Sequence, residues 1–174
     1  MHGTGRDPVK EAARRHEERA EQNISILIRQ LSDENPIFRC RAAESLGHSG
    51  DARAVAPLIA LLDDPIQEVV WVALNALGTL HDPRAYEPLL RCIENPDRWI
   101  RQGAVWALGE LGDPRAGPMI ASLLDDKKKG VRMAAAEALG KIGESQYRGL
   151  LERLLDDDEH EVCQAARDAL KKLK

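Results

Sequence analysis

Ile100-Arg101-Gln102-Gly103-Ala104-Val105-Trp106-Ala107-Leu108-Gly109-Glu110-Leu111-Gly112-Asp113 is the stretch that decides the fold. Its apolar residues Ile100, Ala104, Ala107, Leu108 and Leu111 fall three and four apart, which draws one buried stripe along an α-helix. The helix is predicted from about Arg98 to Leu111, with Gly112 ending it. Stepping 31 residues in either direction finds the pattern again. Leu-Gly stands at 46–47, 77–78, 108–109 and 139–140, and the register closes on Leu170-Lys171. Ala42, Ala73, Ala104, Ala135 and Ala166 share one column, and Phe38, Val69, Ile100, Val131 and Val162 another. Leu31, Leu62, Ile93, Leu124 and Leu155 make a third. A period of this length marks a repeat architecture.

Each unit holds a second helical segment before this one. Residues 83–93 read as one helix, with Asp82 as N-cap and Pro83 at the first position. Glu94-Asn95-Pro96-Asp97 separates it from the next. A pair this short cannot bury its own apolar stripe, so neighbouring units must stack. Alanine in the stripe lets helix axes approach to roughly 8–10 Å. Ala43, Leu74, Val105 and Ala136 should pack on the following unit, and Arg167 in that column closes the array. At the other end, Asp7 and Pro8 begin a helix expected to run to Leu31, with the charged stretch 7–22 as its solvated extension and 1–6 disordered. The array is therefore expected to be complete.

Val131-Arg132-x-x-Ala135-Ala136-x-Ala138-Leu139-Gly140-x-Ile142-Gly143 and its counterpart from Ile100 resemble the HEAT repeat, in the short form of phycobilisome-lyase-like and small archaeal HEAT proteins. The resemblance spans residues 23–174. It implies an all-α fold, a right-handed α-solenoid of five helix pairs, with repeats at about 23–51, 52–82, 83–113, 114–144 and 145–174. It further implies an adaptor or scaffold more readily than an enzyme, since a fold hosts many functions.

Composition narrows the function classes. The chain has 174 residues, 43% hydrophobic and 31% charged, with three Trp, two Tyr and one Phe. That is enough apolar content for a core, and its Ala and Leu favour helix. No apolar run reaches the roughly 18 residues of a membrane span, and no signal-peptide core follows Met1. Three cysteines without a CxxC give neither a disulfide framework nor a zinc site, so a cytoplasmic protein is expected. A net charge of −4 disfavours a nucleic-acid partner.

In a solenoid of helix pairs the second helices line the concave side. On that side Arg98, Trp99, Gln102 and Trp106 point away from the core stripe, and Trp71 and Asn75 occupy the matching face one unit earlier. Trp99 and Trp106 stand two turns apart on one face. All three tryptophans are thus expected on the open inner wall, as hydrophobic anchors of hot-spot size oriented by Arg98, Gln102 and Asn75. The competing explanation is that the indoles lie flat over the alanine-rich seam and serve stability. Flanking columns (Ile37, Cys40 and Glu44; Met133 and Glu137; Gln164 and Asp168) read as the polar rim of the groove. Lys127, Lys128 and Lys129 read as a solvated basic turn. Arg39, Arg101 and Arg132 share a column that reads Val70 and Cys163 elsewhere. The resemblance implies structural ladder residues here, paired with acids such as Asp82, Asp113 or Asp64.

Enzyme readings find little support. Within the HEAT-like enzymes, deoxyhypusine hydroxylase needs four His-Glu pairs, and only His16-Glu17 and His160-Glu161 occur. The fragment His2-Gly3-Thr4-Gly5 has no strand before it and is no phosphate loop. A phycobilin lyase subunit would suit an aromatic groove but shows no distinctive residue here. A HEAT-like DNA glycosylase could use Trp99, Trp106 and Glu110, yet the concave columns hold too few cations to neutralise a duplex. The sequence therefore predicts no catalytic residue, cofactor or metal. It predicts a protein or peptide partner in the concave groove, through which the chain serves as a scaffold.

Overall fold

The computed structural model describes residues 8–173. The expected disorder of 1–6, the Asp7 cap and the fragment from His2 to Gly5 lie outside these residues. Ten α-helices and no strand occur among the described residues. They pair as α1 (Pro8–Gln30) with α2 (Pro36–Ser49), α3 (Val55–Ala60) with α4 (Gln67–Leu80), and α5 (Tyr86–Cys92) with α6 (Arg98–Leu111). The last two pairs are α7 (Gly117–Ser122) with α8 (Lys129–Ile142) and α9 (Arg148–Arg153) with α10 (His160–Leu170). The expected single helix over residues 83–93 is divided. A 3-10 turn, Pro83–Ala85, precedes α5, because the Asp82 carboxylate accepts from the Arg84 N–H two residues on and closes the chain into a tight turn.

The most extensive packing runs between successive second helices, α2 on α4 on α6 on α8 on α10. The Leu-Gly columns explain it. A Cβ added at Gly47, Gly78, Gly109 or Gly140 would come within 3.0 Å of the Cα of Ala76, Ala107, Ala138 or Ala169 respectively. Bare glycine against alanine lets the two backbones nearly touch. Successive second helices thereby pack far more closely than successive first helices.

The alanine column and the Ala43, Leu74, Val105 and Ala136 column are buried throughout, and Arg167 is exposed as expected. Phe38 departs from its column. Val69, Ile100, Val131 and Val162 are buried, whereas Phe38 is 45% exposed. No earlier unit stacks on it among the described residues.

The arginine column forms ion pairs, with the expected Asp64 for Arg39 and with other mid-unit acids for Arg101 and Arg132. Arg39 donates from Nε and Nη2 to the Asp64 carboxylate at 2.7 and 2.8 Å. Arg101 does the same to Asp126 at 2.9 and 3.1 Å, and Arg132 to Asp157 at 2.8 Å twice. Each arginine reaches 25 residues on, into the next unit, while its Nη1 holds a carbonyl of its own unit's mid-loop: Asp33, Asn95 or Asp126. Asp82 and Asp113 do not join this ladder. They cap the 3-10 turns and pair with Arg84 and Arg115, two residues away. A boundary acid sits at the far end of the helix from the arginine column, so only the mid-unit acid is within reach.

One rung is missing. Where the arginine would stand in the second unit is Val70, and where its acid would stand in the third is Asn95. The Asn95 side-chain oxygen still accepts from the Asp97 N–H at 2.9 Å, as Asp64 does from Ile66 and Asp126 from Lys128. The turn is kept, and the charge that would have no partner is gone.

Candidate functional site

The missing rung lies between α4 and α6, and this is where the three indoles converge. Helix α6 starts on Asp97, whose Oδ1 accepts from the Trp99 N–H at 2.7 Å and from the Ile100 N–H at 3.3 Å. That cap fixes the backbone beneath Trp99, and the Trp99 ring is 52% exposed. The Arg98 guanidinium lies over it, 4.6 Å from the ring centre. Trp71, on α4, is 44% exposed and leans forward so that its ring edge rests above Gly103 of α6.

Trp106 departs from the expected open placement. It is half-buried and leans back onto α4, where a Cβ on Gly78 would lie 2.7 Å from its ring. Its outer face is covered by Lys141, with Nζ 5.6 Å from the ring centre. Lys141 also pairs with Glu110, and Glu110 faces His81 Nε2 at 3.7 Å. The physical reason is glycine at 78: with no side chain there, the indole drops onto the neighbouring backbone instead of standing free. The reading of indoles as packing elements thus describes Trp106, while Trp71 and Trp99 keep open faces. The carboxylate of Glu110 is already engaged with a cation, unlike a general base waiting for substrate.

Two depressions meet at Trp99. One, of about 490 Å³, is walled by Gln67, Glu68, Trp71, Val72 and Trp99 and is mostly apolar. The other, of about 460 Å³, is lined by Arg98, Trp99, Gln102, Lys127 and Lys128, and also by Gly130. The Gln102 side chain lies against Gly130, where a Cβ would come within 2.6 Å of its oxygen. Asn75, half-buried, lies one turn beyond Trp71 on α4 and touches neither depression's wall. The arrangement can hold an apolar group between two indoles and a polar group beside it. Burial raises the Cys40 and Cys92 thiols above their ordinary range, away from the reactive thiolate, and Cys163 donates to the Asp157 carbonyl at 3.1 Å. No cluster of three metal-ligating side chains occurs among the described residues.

The HEAT repeat family model matches residues 24–103 and 87–171. The chain belongs to the HEAT repeat family. Among solved structures, this HEAT protein is similar to the complex of CpcE and CpcF of phycocyanin lyase from Nostoc sp. PCC7120, with a TM-score of 0.78 and 28% identity. The match covers 87% of this chain and 65% of that one, so the chain spans about two thirds of that lyase subunit's length. It is also similar to a designed armadillo repeat protein in complex with the peptide (KR)4, with a TM-score of 0.67, 22% identity, and 87% and 82% of the two chains covered. That second likeness shows the fold alone. No curated protein matches in sequence.

Sequence reasoning missed three features of this HEAT site. Gly78 and Gly103 seat two of the indoles, and their signal is a glycine in contact register with a tryptophan on an adjacent second helix. Lys127 and Lys128, read as a solvated turn, line the depression beside Trp99. Asp126 and Asp157 were legible as a column with Asp64 and Asn95, each 25 residues beyond a member of the arginine column.

Proposed function

We propose that the inner face of the second helices is a protein- or peptide-binding groove, with Trp71 and Trp99 as its anchors, Arg98 and Gln102 as polar contacts and Asn75 at its edge. The observation that carries this is the pair of exposed indoles, Trp71 and Trp99, that wall one apolar cleft across the α4–α6 seam. Two half-open indoles carry on the order of 2 kcal/mol each when covered, at about 25 cal/mol per Å². That is the size of an interface hot spot. No helix among the described residues is long and apolar enough to cross a membrane.

Trp71→Ala with Trp99→Ala tests the reading. The double variant should keep its helical circular dichroism and lose partner capture. Trp106→Ala is unsuitable, since its ring also holds α4 to α6. Normal capture by the double variant would move the site elsewhere.

A second reading has its own support in the likeness to a phycocyanin lyase subunit at 28% identity. The same cleft would then take a linear tetrapyrrole. Titration with biliverdin separates the two: saturable absorbance change and quenching of tryptophan emission, lost in the double variant, would favour the pigment.

A further inference from the structure

The apolar cleft does not stand in neutral surroundings, and the pattern of paired and unpaired charges around it gives the partner a sign. Several charged side chains around the cleft are already neutralised. Arg101 and Arg132 are consumed by Asp126 and Asp157. Lys129 bridges Glu159 and Glu161 at 3.1 and 3.2 Å, and Lys141 is held by Glu110. Three cations beside Trp99 have no carboxylate partner among the described residues. Arg98 lies over the Trp99 ring and stays exposed, and Lys127 and Lys128 are exposed on the turn before α8. All three line the same depression, and Trp99 is its shared wall with the apolar cleft. On the opposite edge of the cleft the charged residue is Glu68, again without a cation partner. The lining of the cleft is therefore polarised: the Glu68 carboxylate, then two indoles, then three cations without a carboxylate partner, with Glu159 in the same depression held by Lys129.

We propose that the occupant is an acidic peptide segment of a partner protein that carries an apolar side chain between Trp71 and Trp99. Its Asp or Glu residues follow within a few positions and face Arg98, Lys127 and Lys128. The direction of the segment is fixed by Glu68, which repels a carboxylate placed on the other side of the anchor. Arginine suits this role because its flat guanidinium stays stacked on the indole while presenting N–H donors at its rim to a carboxylate. Charges in the open contribute little to affinity one by one, and their main effects are on choice of partner and on association rate. A basic segment would meet like charge at three points. This inference rests on the groove proposed above and adds the chemistry of its guest.

Selection from a random 12-residue peptide library displayed on phage, on the full chain, tests both levels apart. The expected result is a set of peptides with one large apolar residue and at least two Asp or Glu within four positions on one side of it. Synthetic peptides of this set should bind about tenfold more weakly to Arg98→Ala/Lys127→Ala/Lys128→Ala and to the native chain at high salt. They should be lost altogether on Trp71→Ala/Trp99→Ala. Peptides that need the tryptophans but carry no acidic enrichment, or are rich in Lys and Arg, would overturn the charge assignment and leave the groove standing. A selection in which nothing depends on Trp71 and Trp99 would remove the groove, and this inference with it. Biliverdin binding that needs both the indoles and the three cations, with no peptide selected, would replace the acidic segment by a pigment carboxylate.

Discussion

The seam between α4 and α6 and the seam between α6 and α8 are built on one sequence frame and held together differently. At the second, Arg101 clamps Asp126 with two hydrogen bonds and a third bond ties it to the Asn95 carbonyl. At the first, Val70 and Asn95 stand in those places and no arginine–aspartate clamp spans the gap; the charged contact there is Glu110 facing His81 Nε2 at 3.7 Å. Two indoles resting on glycines, Trp106 on Gly78 and Trp71 over Gly103, occupy the face there instead. A directional polar clamp has been exchanged for large apolar contacts. The exchange has a side effect: an indole too wide for the seam it covers leaves part of its face in water, and that remainder is what a partner can use.

The largest effect should come from removing the clamp where it exists. Arg101→Ala leaves the part-buried Asp126 without its partner and should cost about 3 kcal/mol in urea unfolding, at the lower end for breaking buried pairs. A loss under about 1 kcal/mol would mean the ladder is ornamental. Next, Trp106→Ala should cost about 2 kcal/mol, reduced from the full large-to-small penalty because the ring is half-covered. Trp99→Ala should change stability by no more than about 0.5 kcal/mol. Equal losses for the two would erase the distinction drawn between packed and open indoles.

Installing the missing rung sharpens the comparison further. Val70→Arg and Asn95→Asp should each destabilise alone, since each adds an unpartnered charge. Together they should show a favourable coupling of about 1 kcal/mol in a double-mutant cycle. Absence of coupling would show that the α4–α6 seam has diverged in geometry and not merely in residue type.

The smallest effect concerns the boundary acids, which are alike at both seams. Hydrogen bonding to Arg84 holds the Asp82 carboxyl down at about 2, and Arg115 likewise lowers Asp113. A carboxyl with a depressed folded-state pKa binds fewer protons folded than unfolded between its two pKa values. Its contribution is therefore full above about 4, the ordinary carboxylate range, and lost as pH falls through about 2. Thermal unfolding of Asp82→Asn should show a shallower acid slope across that interval than the native chain. An unchanged slope would take the cap out of the acid response.

Much of the fold can be read from the chain before any coordinates. Leu-Gly at a 31-residue period, with alanine columns beside it, admits only stacked helix pairs, because a pair so short has no other way to bury its stripe. The bounds of α6 follow from Asp97 and Gly112 alone. The arginine column announces itself as structural, but the acid it meets is a matter of which end of the helix faces the next unit. Periodicity does not carry that; hence Asp126 and Asp157, and not Asp82 or Asp113, complete the ladder.

The site was legible only as a face. Helical spacing puts Trp71, Trp99 and Trp106 on one side of two adjacent helices, but only Trp71 and Trp99 stay exposed there. Which rings stay open depends on what lies beneath them across the seam, 28 residues back for Trp106 and 32 ahead for Trp71. One glycine lets Trp106 fall flat and be covered by Lys141. Another seats only the edge of Trp71. The sequence by itself determined the helices, their order and the face. The tertiary packing decided which indoles and cations remain unspent, because exposure and neutralisation belong to pairs of side chains that meet only when the units stack.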